Sequence, residues 1–463
     1  MKLSRLRSII LPACSLVSLV LIASTSAASP ATLAASPAER EVLSAYKNGR
    51  YEQAISLFER LPQGRPMPRE VAQAGLLSYV RLGKSEPAWK LYLRLFPSGK
   101  KDDPRWLRDV AYSFIVSRLR DRDEHVRVTA YTALAQIAGR EDVPLLEDGL
   151  LDTSILVRAL AVEGLGRAAA QARKPERTEA LGFLKRALED PAPTVRIAAL
   201  NALGDVGDRH DAALLETITG LSESEEGAIQ VFALAALVKL GRGEALADLL
   251  STATLPDSQA RMAAVGVLGR LKRVASLPLL SRSIYDPDAE VRAFAAGALG
   301  ELGDPGAAAP LMHALEDESP RVRGTAAASL GRLGLVSARP LLKQAAHDPV
   351  ELVRGGAIEG LLRLGDRDAV LLAADLAKHP APLIRSAVAQ ASGLSGNRQT
   401  LPVLELLLKD QQPQPRLTAA LALGRLGDQA AIPLLKQTLS ETDPAVRTAA
   451  AGSLVQILSK RRS

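Results

Sequence analysis

Residues 286–304 read DPDAEVRAFAAGALGELGD, and near-copies of this phrase return along most of a 463-residue chain. With Arg292 as position zero, the same slot holds Arg127, Arg158, Arg196, Gln230, Arg261, Arg323, Arg354, Arg385, Arg416 and Arg447. The spacings are 31, 38 and 34 residues, then 31 seven times in succession. Eleven units at a nearly fixed period are the mark of an open-ended array, which also suits a chain too long for one hydrophobic core.

The pattern inside the phrase is helical. Ala occupies +3 in ten of eleven units, with Val388 the exception, and Leu occupies +7 in ten, with Ser392 the exception. Together with −1, +6 and +10 these positions place Val291, Ala295, Ala298, Leu299 and Leu302 on one stripe at 100° per residue. Gly at +11, as in Gly303 and Gly365, stands where a helix end calls for positive φ. A shorter apolar segment precedes each phrase and supplies an antiparallel partner helix. Pro144, Pro278, Pro340, Pro402 and Pro433 fall at −14, inside that partner, where bending is expected. Asp at −6, in Asp121, Asp152, Asp190, Asp286, Asp317, Asp348 and Asp410, suits an N-cap. Composition agrees with an all-α fold: 47% of residues are hydrophobic but only 3% aromatic, so the core is Leu, Ala and Val.

Pro at −14, Asp at −6 and Arg at zero resemble HEAT repeats, and the short "VRxxAxxALGxLGD" unit is most similar to the subgroup seen in phycobilisome lyases. The resemblance covers residues 105–458. It implies a right-handed α-α superhelix, a solenoid of helix pairs about 100 Å long at the usual helix spacing. It also implies that the ladder residues Asp286, Arg292, Asp317, Arg323, Asp348, Arg354, Asp410 and Arg416 bind one unit to the next.

Ahead of the array the composition changes: eleven of fifteen aromatics lie at or before Tyr131. Residues 39–97 read as two helical hairpins, with Gly49 and Gly83 at turns. Tyr51, Ala54 and Phe58 share one helical face, and Ala88 and Tyr92 repeat the scheme. This segment resembles tetratricopeptide repeats, although their Trp-Leu-Gly first helix is absent; a helical cap for the array fits it as well. Residues 28–38 read as a flexible spacer and 459–463 as a basic tail. Residues 1–27 have the layout of an export signal, with Lys2, Arg5 and Arg7, then SIILPACSLVSLVLIA, then small residues for cleavage. A periplasmic or otherwise extracytoplasmic location follows as an expectation, with no transmembrane anchor after cleavage. Lipidation of Cys14 is the lesser alternative, since LPAC resembles a lipobox.

The net charge of +7 includes three leader cations, so the remainder carries only +4, weak for a nucleic-acid binder of this size. The five histidines, His125, His210, His313, His347 and His379, fall at different repeat positions, and none is followed by Glu. The paired ligands of HEAT-type deoxyhypusine hydroxylases are therefore not expected, nor is any other metal or cofactor. What is left is surface. Arg167, Lys239, Arg270, Arg332, Arg363 and Arg425 all stand at +9, where stacking would align them into a basic rail for an acidic protein segment. A favourable interaction with the helix dipole is the competing role. Small residues at +1, +5 and +8 suit either a smooth groove or close packing between units.

The expectation drawn is a non-enzymatic, exported scaffold for other proteins. The alternatives are a lyase-like or accessory factor acting on a cofactor-bearing protein, or a binder of an anionic envelope polymer.

Overall fold

A computed structural model describes residues 35–62, 67–97, 100–173 and 175–459. The export signal, Cys14, most of the spacer and residues 460–463 of the tail lie outside the described residues. Two compact units divide the chain, residues 1–130 with 458–463, and residues 131–457.

The described residues begin with five helices, α1 (Pro37–Lys47), α2 (Tyr51–Glu59), α3 (Arg69–Arg81), α4 (Ser85–Leu95) and α5 (Pro104–Arg118). The turns of both hairpins are made by Gly49 and Gly83, at φ 71° and 66°. Ala54 and Ala88 are fully buried, where a larger side chain would push the paired helices apart. Trp89, Tyr92, Phe96 and Trp106 stack in a chain of ring contacts with centroids 4.8–5.7 Å apart. Tyr92 donates its hydroxyl to Asp102 at 2.8 Å.

Long and short helices then alternate. The first four pairs are α6 (Glu124–Ile137), α7 (Val143–Gly149), α8 (Ile155–Gln171), α9 (Glu176–Arg186), α10 (Pro193–Val206), α11 (Ala212–Ser224), α12 (Ala228–Lys239) and α13 (Ala245–Thr252). Next come α14 (Ser258–Leu271), α15 (Leu277–Arg282), α16 (Ala289–Leu302), α17 (Ala308–His313), α18 (Pro320–Arg332), α19 (Arg339–Ala345), α20 (Glu351–Arg363) and α21 (Arg367–Leu376). The last are α22 (Pro382–Ser395), α23 (Leu401–Leu407), α24 (Pro413–Leu426), α25 (Ile432–Thr438) and α26 (Pro444–Ser459). Each long helix carries one repeat phrase, and the all-α solenoid stands.

Two local expectations change, and at +8 the choice between groove and close packing falls to packing. The aspartates at −6 are not N-caps: the cap is at −4, as in Ser154, Asp257 and Asp288. Instead Asp286 accepts the backbone N–H of Asp288 at 2.9 Å, closing a turn before the helix and leaving its carboxylate free for the neighbouring repeat. The prolines at −14 do not bend a helix interior. Each is the second residue of a short helix that follows a 3₁₀ turn, where its missing N–H costs nothing. At +8, Gly300 and Gly331 face the next helix rather than an open groove. A Cβ on Gly331 would collide with Gly360, and one on Gly300 would lie 2.6 Å from Ser329.

That close approach crowds the long helices together on the inside of the curve. Within the second unit the array returns to its start: a Cβ on Gly452 of α26 would lie 2.6 Å from the Cβ of Ala133 on α6. The second unit is thus closed into a ring, with Gly452 of α26 against Ala133 of α6. The long helices line its concave face.

Candidate functional site

The ladder is the most regular feature of the ring. Arg292 donates from Nε and Nη2 to the two carboxylate oxygens of Asp317 at 2.8 and 3.0 Å, and from Nη1 to the carbonyls of Asp286 and Pro287. Arg158–Asp190, Arg261–Asp286, Arg323–Asp348 and Arg385–Asp410 repeat this fork, and Arg416 faces Glu441 at 3.3 Å. One planar guanidinium thus joins two units and satisfies the loop between its own helices. Arg323 and Arg385 hold Asp348 and Asp410 below the usual carboxylate range. Burial pushes Asp190 and Asp317 upward, but hydrogen bonds from Arg158 and Arg292 outweigh it and leave both lowered.

After Arg196 the aspartate is replaced by Ser224, and Glu225 at 3.6 Å stands in for it; two further junctions lack any carboxylate. At −6 the unit of Arg385 has His379 and the unit of Arg261 has Leu255, so Arg354 and Gln230 have no carboxylate ahead of them. His379 takes over only the local half of the role, accepting the N–H of Ala381 through Nδ1 at 3.1 Å. At the same two junctions +8 is bulky, Val238 on α12 and Leu362 on α20, and contacts of α12 with α14 and of α20 with α22 are the sparsest between consecutive long helices from α8 to α24.

Of the basic rail, Arg167, Arg270, Arg332 and Arg425 are exposed on the concave side and Lys239 and Arg363 are half-buried. Acidic neighbours interrupt it. Lys239 pairs with Asp205 at 2.8 Å, and Glu359 lies 3.2 Å from Arg363 and 3.9 Å from Arg332. Arg270 stacks over Phe232 at 5.2 Å.

Two cavities open on the concave face. One, of about 390 Å³, lies over α12, α14, α16 and α18, with Phe232, Met262, Phe294, Arg270, Glu301 and Arg321 around a floor that includes Gly266 and Gly297. The other, of about 450 Å³, lies over α6, α8 and α10, with Gln136, Glu163, Arg167, Asn201 and Asp205 around a floor that includes Ala135, Gly166 and Ala202. Glu163 is pushed up from the ordinary glutamate range by desolvation, opposed by Arg167. It is open to water yet hemmed in by the curved wall, as a group in a groove is.

The sequence reading passed over Gln136, Glu163 and Asn201 altogether. Their signal was present: they stand at +5 and +9, where the copies disagree. Among the described residues no three His, Cys, Asp or Glu side chains gather as metal ligands, and no helix is long and apolar enough to cross a membrane.

Comparison with known proteins follows the same repeats. HEAT repeats match over residues 104–166, 149–220, 278–362, 338–414 and 402–462. An uncharacterized phycocyanin operon protein Z of Pseudanabaena tenuis (strain PCC 7409) is 28% identical over 163 residues, 35% of this chain and 79% of the relative. The complex of CpcE and CpcF of phycocyanin lyase from Nostoc sp. PCC7120 is 19% identical, covering 66% of this chain and 91% of that one, with a TM-score of 0.32. Human deoxyhypusine hydroxylase is 20% identical, covering 53% and 97%, with a TM-score of 0.27. The expectation of a non-enzymatic chain is not upheld: the proteins it resembles include a lyase and a hydroxylase, and the likeness, one of repeat fold alone, gives this chain neither activity.

Proposed function

The chain belongs to the HEAT-repeat family, and from that premise we propose that it is a lyase-like or accessory factor acting on a cofactor-bearing protein, which it receives on its concave face. The observation that carries this reading is the distribution of variation around the ring. Capping, ladder and core positions are nearly constant, whereas the concave +2, +5 and +9 positions differ from unit to unit and surround both cavities. A constant frame with a varied inner wall is how a repeat protein presents one particular surface. Likeness to a phycocyanin operon protein supports a cofactor-bearing client.

The test is a mixture of the purified full chain, an apo-phycocyanin subunit and free bilin, followed by absorbance. Faster attachment of the pigment, or a stable complex with the subunit, is the expected result. An attachment rate equal to that without the chain, together with no complex, would overturn the reading. Export through residues 1–27 is proposed separately on the composition of that segment, and the N-terminal sequence of the protein recovered from cells decides it.

A further inference from the structure

The cavity over α6, α8 and α10 gathers four polar side chains that have no protein partner among the described residues. Gln136, Glu163, Arg167 and Asn201 all line it, and none of the four has a side-chain hydrogen bond or an ion pair within 4 Å among the described residues. The ring contains its own control. Glu359 occupies the same +5 position three units before the end of the array, but it lies 3.2 Å from Arg363 and 3.9 Å from Arg332. Glu163 also has an arginine four residues on, Arg167, yet the two do not pair. Both side chains are exposed to water in the cavity, so a ligand that brings the opposite charges replaces water with charge-assisted hydrogen bonds to each.

The geometry points to an extended peptide segment of a partner protein, bearing a basic and an acidic side chain two residues apart, lying along α8. Residues four apart on a helix have Cβ atoms about 6 Å apart. Side chains at i and i+2 of an extended chain emerge on one face about 6.6 Å apart. A lysine or arginine of the segment meets Glu163, and its aspartate or glutamate meets Arg167. On either side the carboxamides of Gln136 on α6 and Asn201 on α10 each offer a donor and an acceptor, the pair that the edges of an extended backbone need. Asp205 is held by Lys239 at 2.8 Å and closes the rim rather than competing for the segment. The floor of Ala135, Gly166, Ala198 and Ala202 has no side chain large enough to lift a backbone off it. This inference rests on the proposed reception of a protein client by the concave face, and it assigns the place and the chemistry.

A random heptapeptide display library panned on the full chain tests it. Enriched peptides are expected to carry Lys or Arg two residues from Asp or Glu, with α6, α8 and α10 gaining protection from hydrogen exchange when they bind. Glu163→Gln should remove the basic preference and leave the acidic one, and Arg167→Gln should do the reverse. Each variant's thermal unfolding, compared with the parent, checks that the fold is intact. No enrichment, enrichment unchanged by both substitutions, or protection outside these helices would overturn the site. Protection elsewhere on the concave face would do so while leaving client reception standing, and the pigment-attachment assay tests that reading independently.

Discussion

From α16 through α18 to α20 the ring is built one way, and from α20 to α22 another. In the first stretch adjacent helices meet at Gly300 and Gly331, and Arg292–Asp317 and Arg323–Asp348 pin each junction with two short hydrogen bonds. In the second they meet at Leu362, Arg354 holds the carbonyls of Asp348 and Pro349 and faces Glu351 of its own helix at 3.7 Å, and the crossing bonds are improvised. Asn397 donates to the carbonyl of Leu362 at 3.1 Å, and His379 stands 3.6 Å from Glu351. The junction of α12 with α14 follows the second pattern, with Arg270 over Phe232 across it. Small residue and ion pair are thus lost together. A pin with fixed reach is useful only where the helices come close, so two seams divide the ring into two more tightly pinned blocks.

The largest way to break this contrast is acid. Asp190, Asp317, Asp348 and Asp410 all titrate below the ordinary range, so their stabilising effect is complete above the unfolded value near about 3.9 and is lost as pH falls through their lowered folded values. Hydrogen exchange, corrected for its own pH dependence, should show α16–α20 losing protection below about pH 4 while the α20–α22 seam changes little. Gly331→Ala comes next. It forces a methyl into the backbone of α20 and should cost about 3 kcal/mol in thermal unfolding. Gly355→Ala, inside α20 where a Cβ meets nothing within 4 Å, should instead raise stability by up to about 1 kcal/mol.

A smaller effect should follow from exchanging the two kinds of junction. Asp348→Ala strands the guanidinium of Arg323 and should cost about 2 kcal/mol. His379→Asp supplies Arg354 with the missing carboxylate and should slow exchange in α20 and α22, a gain of about 1 kcal/mol. Equal exchange before and after that substitution would show that Leu362, rather than the absent pin, sets the seam. Smallest is Lys272→Gly. Lys272 is the one non-glycine at positive φ among the described residues, at 51°, in the slot where Gly303, Gly334 and Gly365 sit. Glycine should raise stability by up to about 1 kcal/mol, and alanine should not.

Much of this was legible in the sequence, because a repeat averages out the ambiguity of any one copy. Ala295, Leu299 and Leu302 declare the buried stripe, Gly303 declares the helix end, and Arg292 with Asp317 declares a bond between units. Local stereochemistry governs these features, and each depends only on residues in its own or the next repeat. The role of Asp286 was misjudged by two positions because a turn and a cap use the same side chain.

Ring closure and the site were decided by tertiary structure alone. A small change in rotation per repeat separates an open superhelix from one whose Gly452 reaches Ala133, and that rotation is summed over eleven junctions with different residues at +8. Glu163 and Glu359 look alike in sequence, each four residues before an arginine. In the packed ring Glu359 is met by Arg363 of its own helix and by Arg332 of the neighbouring one, whereas Glu163 has neither contact, a difference that the spacing in sequence does not show.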